Sequence, residues 1–316
     1  MKHRKFCGRL GFYILTTIVV SLLFIVAPLT GSAQRRGRQR APQRAPQQPE
    51  TVIFVVSGQE GEAGQPQQYS MDSLAVLRGG KFVSPVDEYD EKAERRFADK
   101  FYKAGQKYRL LFGGGEVGTA TVEGWQEGCN AIHSSIKVES SASIRGRIYG
   151  LATNSDSLGK KETSRRALTS AEREAVMTLV KSIYRRNRTS NALLRSLKVG
   201  NLTATDLNND GQFEVIGDFQ IASPSDSITG ARRDLFLIAT PNGAGGYRAE
   251  FANFQSYKMD SGFGRGFGFA DQLDMDGDGI AEVVTIDEGF DGYGYSIYKK
   301  QRGTWRRVYS GTGDAC

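Results

Sequence analysis

Two acidic loops contain the residues whose types and spacing could bind a metal. Loop one runs from Asp206 to Glu214 and loop two from Asp274 to Glu282, and both follow the pattern D-x-[DN]-x-D-G-x-x-E. Short oxygen-bearing side chains at alternating positions converge when such a loop curls, and glycine at the sixth position permits the turn. Hard oxygen ligands in this number suit calcium. The spacing therefore predicts two Ca2+ sites.

The loops differ from those of an EF-hand. An EF-hand has a bidentate Glu at its twelfth position, where this chain has Gly217 and Thr285. The ninth-position acids, Glu214 and Glu282, must therefore close the sites. Acidic loops containing glycine are also ordinary turn chemistry, but the same spacing occurs twice at equivalent places. Loop two has four carboxylates against three and an Asn208 in loop one, which predicts that loop two binds more tightly.

The elements that must position these loops form a sequence repeat over residues 199–316. In each copy an apolar strand precedes the loop and another follows it, and two further strands joined by a turn complete the copy. The turns are predicted at Pro241–Gly246 and at Gln301–Gly303. Each copy is thus predicted to be a four-stranded, blade-like meander.

The repeat resembles the FG-GAP, or VCBS, repeats of secreted and integrin-type β-propellers. Phe267-Gly268 followed by loop two carries the resemblance, together with the preceding copy. The resemblance implies calcium between the first two strands of each unit, bound by loop side chains and one carbonyl per loop. The implied ligands are Asp206, Asn208, Asp210, Gln212 (carbonyl) and Glu214, and Asp274, Asp276, Asp278, Ile280 (carbonyl) and Glu282. Propellers close with 4–8 blades, so two copies indicate a fragment completed by the N-terminal strands or by a partner.

The rest of the body is predicted to be mainly β with a short helical connector. Residues 51–155 read as a small β-rich domain interrupted by one helix near Asp90–Lys103. Residues 156–198 read as a linker and a helix that begins at the capping box of Thr169 and Glu172.

The N-terminal segment predicts export. Four basic residues precede an apolar run over residues 10–29, and small residues follow at 31–33, so residues 1–33 read as a signal peptide or membrane anchor. Arginines just after residue 33 favour the anchor, which would tether the chain to a membrane. Residues 34–50, rich in Arg, Gln and Pro, read as a disordered linker. The predicted location is secreted, periplasmic or at the cell envelope.

Charge and cysteine content exclude other classes of function. The net charge is +7, but residues 51–316 contain 33 basic and 34 acidic residues, so nucleic acid is not an expected partner. Cys129, Cys316 and His133 are too few for a Cys/His zinc site. In an oxidising compartment the two cysteines are predicted to form one disulfide.

Other motifs favour structural roles. Residues 113–118 satisfy G-x-G-x-x-G, but a strand pattern follows, which predicts a hairpin turn. Acids at Asp287, Glu288 and Asp291, with Tyr293 and Tyr295, leave an alternative open, namely an extracytoplasmic hydrolase of glycans. The favoured hypothesis is a non-catalytic binding or adhesion-type module with structural calcium and a protein or glycan ligand.

Overall fold

The N-terminal strands form a closed, six-stranded antiparallel barrel. In this computed structural model the described residues are 50–59, 67–86, 90–129, 131–142, 148–222, 231–258, 266–289 and 292–315. The strands are β1 (Thr51–Gln59), β2 (Gln68–Arg78), β3 (Lys81–Val83), β4 (Lys107–Phe112), β5 (Gly115–Glu127), β6 (Ile132–Ser140) and β7 (Ile148–Thr153). Their order is β1-β7-β4-β5-β6-β2, closed by β1–β2 pairing, and β3 pairs with the C-terminal end of β2.

One helix, α1 (Glu91–Phe101), packs against the barrel core. The Asp90 side chain caps it by accepting a hydrogen bond from the N–H of Ala93, and Phe97 and Phe101 are buried against barrel residues. The predicted helix at Asp90–Lys103 is therefore confirmed. The first two residues of the G-x-G-x-x-G segment, Gly113 and Gly114, form the hairpin turn between β4 and β5, as predicted.

A helical connector leads to two further antiparallel sheets. The connector contains β8 (Arg165–Arg166), α2 (Ser170–Arg186) and α3 (Asn191–Leu194), and the capping box of Thr169 and Glu172 begins α2. The remaining strands are β9 (Lys198–Thr205), β10 (Glu214–Ala222), β11 (Ala231–Pro241), β12 (Tyr247–Lys258), β13 (Gly266–Leu273), β14 (Glu282–Glu288), β15 (Gly292–Gln301) and β16 (Thr304–Ala315). One sheet has the order β12-β11-β10-β9-β8 and the other β13-β14-β15-β16. The prediction of a mainly β chain with few helices is confirmed.

The β13–β16 sheet is the middle layer of the described body, between the barrel and the β8–β12 sheet. Alternate side chains of a strand face opposite sides of its sheet, and here both sides are buried. Val283 packs with Ile216 and Phe236 of the β8–β12 sheet. Its neighbour Val284 packs with Leu111 and other residues of the barrel. This explains why the residues of β14 are buried continuously from Glu282 to Ile286 instead of at alternate positions.

Buried carboxylates join the layers at defined points. Asp271 of β13 is fully buried and accepts a hydrogen bond from the N–H of Gly113, in the β4–β5 turn, at 2.9 Å. The Arg165 guanidinium lies 3.7 Å from the same carboxylate and stacks between the rings of Phe112 and Phe269. Burial raises the pKa of Asp271 to about 6, so its charge depends on these partners.

A second junction centres on His133 of the barrel. Its Nδ1 lies 2.7 Å from Asp72 Oδ1 and its Nε2 lies 3.0 Å from Asp314 Oδ2 on β16. Tyr293 and Tyr295 of β15 donate their hydroxyl protons to Asp72 Oδ2 at 2.9 and 2.7 Å. Because both ring nitrogens face carboxylates, both carry protons and the imidazole is charged. The network ties the barrel to the middle sheet.

Burial alone would lower the pKa of His133, but the hydrogen bonds and charges of Asp72 and Asp314 outweigh it and raise the pKa to about 9.

Cys129 lies in the turn before β6, close to this network, since the neighbouring Gly128 is next to the Asp314 carboxylate. Its predicted partner Cys316 lies outside the described residues, so the disulfide stays a prediction. Residues 1–49 of the predicted leader (1–33) and linker (34–50) also lie outside them.

We expect His133→Gln to lower the free energy of unfolding at pH 6 by about 3 kcal/mol, since two partly buried carboxylates lose their cation. The contribution of the charged ring is complete below pH 6.5, the ordinary pKa, and is lost as the pH rises through about 9. Urea unfolding at pH 6, 7.5 and 9.5 measures it. The stability curves of wild type and variant should converge at pH 9.5, and curves that stay parallel would contradict the assignment.

Candidate metal centre

The two loops lie side by side and are folded alike. Loop one joins β9 to β10 and loop two joins β13 to β14, which are the first two strands of each repeat. The N–H of Ala281 donates to the carbonyl of Leu207 at 2.7 Å, and the Asn209 side chain donates to the carbonyl of Gly279 at 3.4 Å. The loops therefore brace one another across the junction of the two sheets.

The first aspartate of each loop sets its curl. Both oxygens of Asp206 accept backbone N–H groups, from Asp210 at 3.2 Å and Gly211 at 3.0 Å. Asp274 accepts from Gly277 at 2.8 Å and from the sixth-position glycine at 3.0 Å. The sixth-position glycines have φ of +79° and +87°, the left-handed region that favours glycine. The predicted turn is confirmed.

The ninth-position acids close both loops in the same way. Glu214 Oε2 accepts the N–H of Leu207 at 3.0 Å, and Glu282 Oε2 accepts the N–H of Met275 at 2.8 Å. Both side chains are buried. Burial raises the pKa of Glu214 and raises that of Glu282 to about 7. Each remaining carboxylate oxygen needs a donor or a cation.

The middle positions of the loops behave less uniformly. Asp210 Oδ1 accepts the N–H of Gln212 at 2.7 Å, and Asp278 Oδ1 accepts the N–H of Ile280 at 2.9 Å. In loop one the Asn208 amide donates to Asp210 Oδ2 at 3.0 Å. Two of the predicted ligands in loop one are thus bonded to each other.

Loop two brings its acids together more closely than loop one. One oxygen from each of Asp274, Asp276 and Glu282 lies within 4.8 Å of the others, close enough to share one ion. Among the described residues, Asp206, Asp210 and Glu214 do not form such a group.

Sequence analysis missed Lys299, which lies in the middle of the loop two acids. Its Nζ donates to Asp276, to Asp278 Oδ2 at 2.7 Å and to Glu282 Oε1 at 3.0 Å. Burial opposes the charge, but these three carboxylates outweigh burial and raise the pKa of Lys299. The signal that could have found it is hairpin register: Val283 pairs with Tyr298, so Lys299 stands opposite Glu282.

Loop one has a hydroxyl at the matching position. Val215 pairs with Ala239, so Thr240 stands opposite Glu214, and its hydroxyl donates to Glu214 Oε1 at 3.3 Å. No basic side chain in the described ranges forms an ion pair with the acids of loop one. Lys160 reaches the loop only at the side-chain oxygen of Asn209.

The two loops differ in how well their donor groups suit Ca2+. Carboxylate and amide oxygens in both loops match the ligands that Ca2+ prefers, so the chemistry of loop one fits the ion. The acids of loop two have the same chemistry, but three of them are already paired with the ammonium group of Lys299. Loop two therefore does not fit a metal while Lys299 stays in place.

Asp287, another acid singled out in the sequence, has structural partners. Asp287 accepts the hydroxyl of Ser296 at 2.7 Å and that of Thr285 at 3.3 Å, and Asp291 lies outside the described residues. Tyr293 and Tyr295 bind Asp72 instead of these acids.

Comparison with protein-family models, with curated proteins and with solved structures finds no match to this chain. None of the helices in the described ranges has the length and hydropathy that a membrane span requires.

We expect Glu214→Ala to lower the free energy of unfolding by about 1–3 kcal/mol even in chelator, because the N–H of Leu207 loses its buried acceptor. Glu214→Gln is the matched control, since an amide oxygen can still accept that N–H. Urea unfolding in EGTA measures both variants. Equal losses in the two variants would argue against this anchoring role.

Proposed function

We propose that this chain is an exported calcium-binding β-repeat protein, a non-catalytic binding or adhesion-type module in which calcium is structural. In this proposal the sheets β9–β12 and β13–β16 are two blade-like units of the FG-GAP or VCBS type. The observation that carries it is the duplicated loop, with the same N–H anchoring of Glu214 and Glu282 in both copies.

The position of the loops supports a structural role for the ion. Each loop joins the first two strands of its sheet, and the contact between Ala281 and Leu207 links one loop to the other. An ion held by loop one would fix both strand ends and, through that contact, the junction of the two sheets. Calcium would then act on the stability of the assembly and not on a bound substrate.

The predicted leader and tether supply the location. A signal peptide or anchor in residues 1–33 and the linker at residues 34–50 would present the folded body outside the cytoplasm. That compartment is oxidising enough for the Cys129–Cys316 disulfide. The expected partner is an extracellular or envelope protein or glycan.

The binding role is preferred to the glycan hydrolase for a chemical reason. A glycoside hydrolase needs two carboxyl groups that face each other across a substrate and are free to react. Asp287 is instead held by the hydroxyls of Ser296 and Thr285. The acids of loop two do converge, but Lys299 pairs with three of them. Asp72 and Asp314 also converge, but both are paired with His133.

Thermal unfolding of the full chain in calcium and in EGTA tests the proposal. An ion that binds only the native state adds about 2.7 kcal/mol at 100 times its dissociation constant, so we expect calcium to raise the Tm by roughly 5 °C or more. The control is Asp206→Asn with Asp210→Asn, which should reduce the rise. Calcium binding would be refuted if calorimetry detects no heat of binding at millimolar calcium and the Tm is the same in calcium and in EGTA.

A further inference from the structure

The second loop of this chain already contains a cation of its own. The ammonium group of Lys299 donates to one oxygen of each of Asp276, Asp278 and Glu282, three of the four acids that the repeat pattern assigns to a metal. The Lys299 side chain is only 15% exposed, so it is not a surface lysine reaching toward solvent. It enters the loop from the facing strand β15.

The ammonium and a metal ion cannot occupy loop two together. Calcium lies at about 2.3–2.6 Å from each ligand oxygen, and Lys299 Nζ lies 3.0 Å from Glu282 Oε1. An ion sharing the oxygens of Asp276, Asp278 and Glu282 would overlap the ammonium group. Two positive charges at that separation also repel strongly in a site shielded from water.

Both oxygens of the closing acid are already used. Glu282 Oε2 accepts the N–H of Met275 at 2.8 Å, and Oε1 accepts from Lys299. Lys299 also accounts for the close approach of Asp276 and Glu282, since its ammonium group offsets their mutual repulsion. Asp274, the third acid within 4.8 Å of them, is held instead by the N–H groups of Gly277 and Gly279.

Loop one provides the internal comparison. Thr240 occupies the position of Lys299 in the hairpin register and contributes a neutral hydroxyl to Glu214. Both loops have the same anchor for the ninth-position acid, the N–H of Leu207 in loop one and that of Met275 in loop two. This one difference on the facing strand decides whether a positive charge is built in.

We infer that Lys299 is a built-in cation that closes loop two, so that calcium binds loop one first and enters loop two only when Lys299 is displaced. The inference rests on the proposed function. It reverses the order of affinity expected from the carboxylate count, which favoured loop two. The acids of loop two keep a structural role, because Lys299 neutralises their charge and holds the ends of β14 and β15 together without a metal.

Exchange of the two facing residues tests this inference. Calorimetric titration of the full chain with calcium alone should give one tight site in the wild type. Lys299→Thr, which installs the residue of loop one, should add a second site with an affinity at least about tenfold above any second site of the wild type. Lys299→Arg keeps the charge and should behave as the wild type. Thr240→Lys should weaken the tight site by a similar factor.

Stability in chelator provides a readout that does not depend on metal binding. In EGTA, Lys299→Thr should melt below both the wild type and Lys299→Arg, since three gathered acids lose their cation, and calcium should restore the Tm. Circular dichroism at low temperature shows whether each variant is folded.

The possible failures are distinguishable. Two equal sites in the wild type that Lys299→Thr leaves unchanged would overturn the inference and leave the proposed function standing. A Lys299→Thr variant as stable as the wild type in EGTA would also overturn it. If neither the wild type nor Lys299→Thr binds calcium, the proposed function fails, and with it the part of the inference that concerns metal.

Discussion

A carboxylate removed from water must be given donors or a cation, and this constraint governs the polar junctions between the layers of the described residues. Asp72 accepts hydrogen bonds from His133 and from two tyrosine hydroxyls where the barrel meets the middle sheet. Asp271 receives the N–H of Gly113 and faces Arg165. Asp218 accepts the N–H groups of Asn201 and Phe269, which join the two C-terminal sheets. Apolar packing supplies most of the favourable free energy, but it is not directional. The acids, each with a specific set of partners, fix how the sheets register against one another.

The same constraint explains the contrast between the loops. Both repeats carry a buried glutamate anchored by one N–H, and both leave its second oxygen to the facing strand. Thr240 leaves loop one negatively charged and suited to an external cation, whereas Lys299 neutralises the negative charge of loop two with a side chain of the protein itself. A single position on a hairpin partner can thus separate a metal-binding repeat from a self-sufficient one without altering the loop motif. In a module proposed to work outside the cytoplasm, this would leave one junction dependent on calcium and the other independent of it.

Much of the local structure was predictable because its causes are local. The capping box at Thr169, the helix after Asp90, the turn at Gly113 and the curl around Gly211 and Gly279 each follow from residues a few positions apart. The mainly β character followed from short apolar runs separated by turn residues. The closed barrel was not predicted, because closure depends on the pairing of β1 with β2 and β7, and no local pattern specifies which strands pair. The middle position of the β13–β16 sheet was also missed, although the adjacent apolar residues Val283 and Val284 of β14 are consistent with burial on both faces.

The amino-acid sequence by itself determined the two loops, their likeness to each other and the oxygen chemistry that they offer, because these depend on residue type and spacing within nine positions. Only the tertiary structure decided what faces them. Lys299 pairs with Glu282 from the next strand of the sheet, and Tyr295 binds Asp72 although 223 residues separate them in the chain. Strand register and sheet packing determine such partners. The electrostatic state of an acid is a property of its surroundings, and those surroundings are assembled by folding.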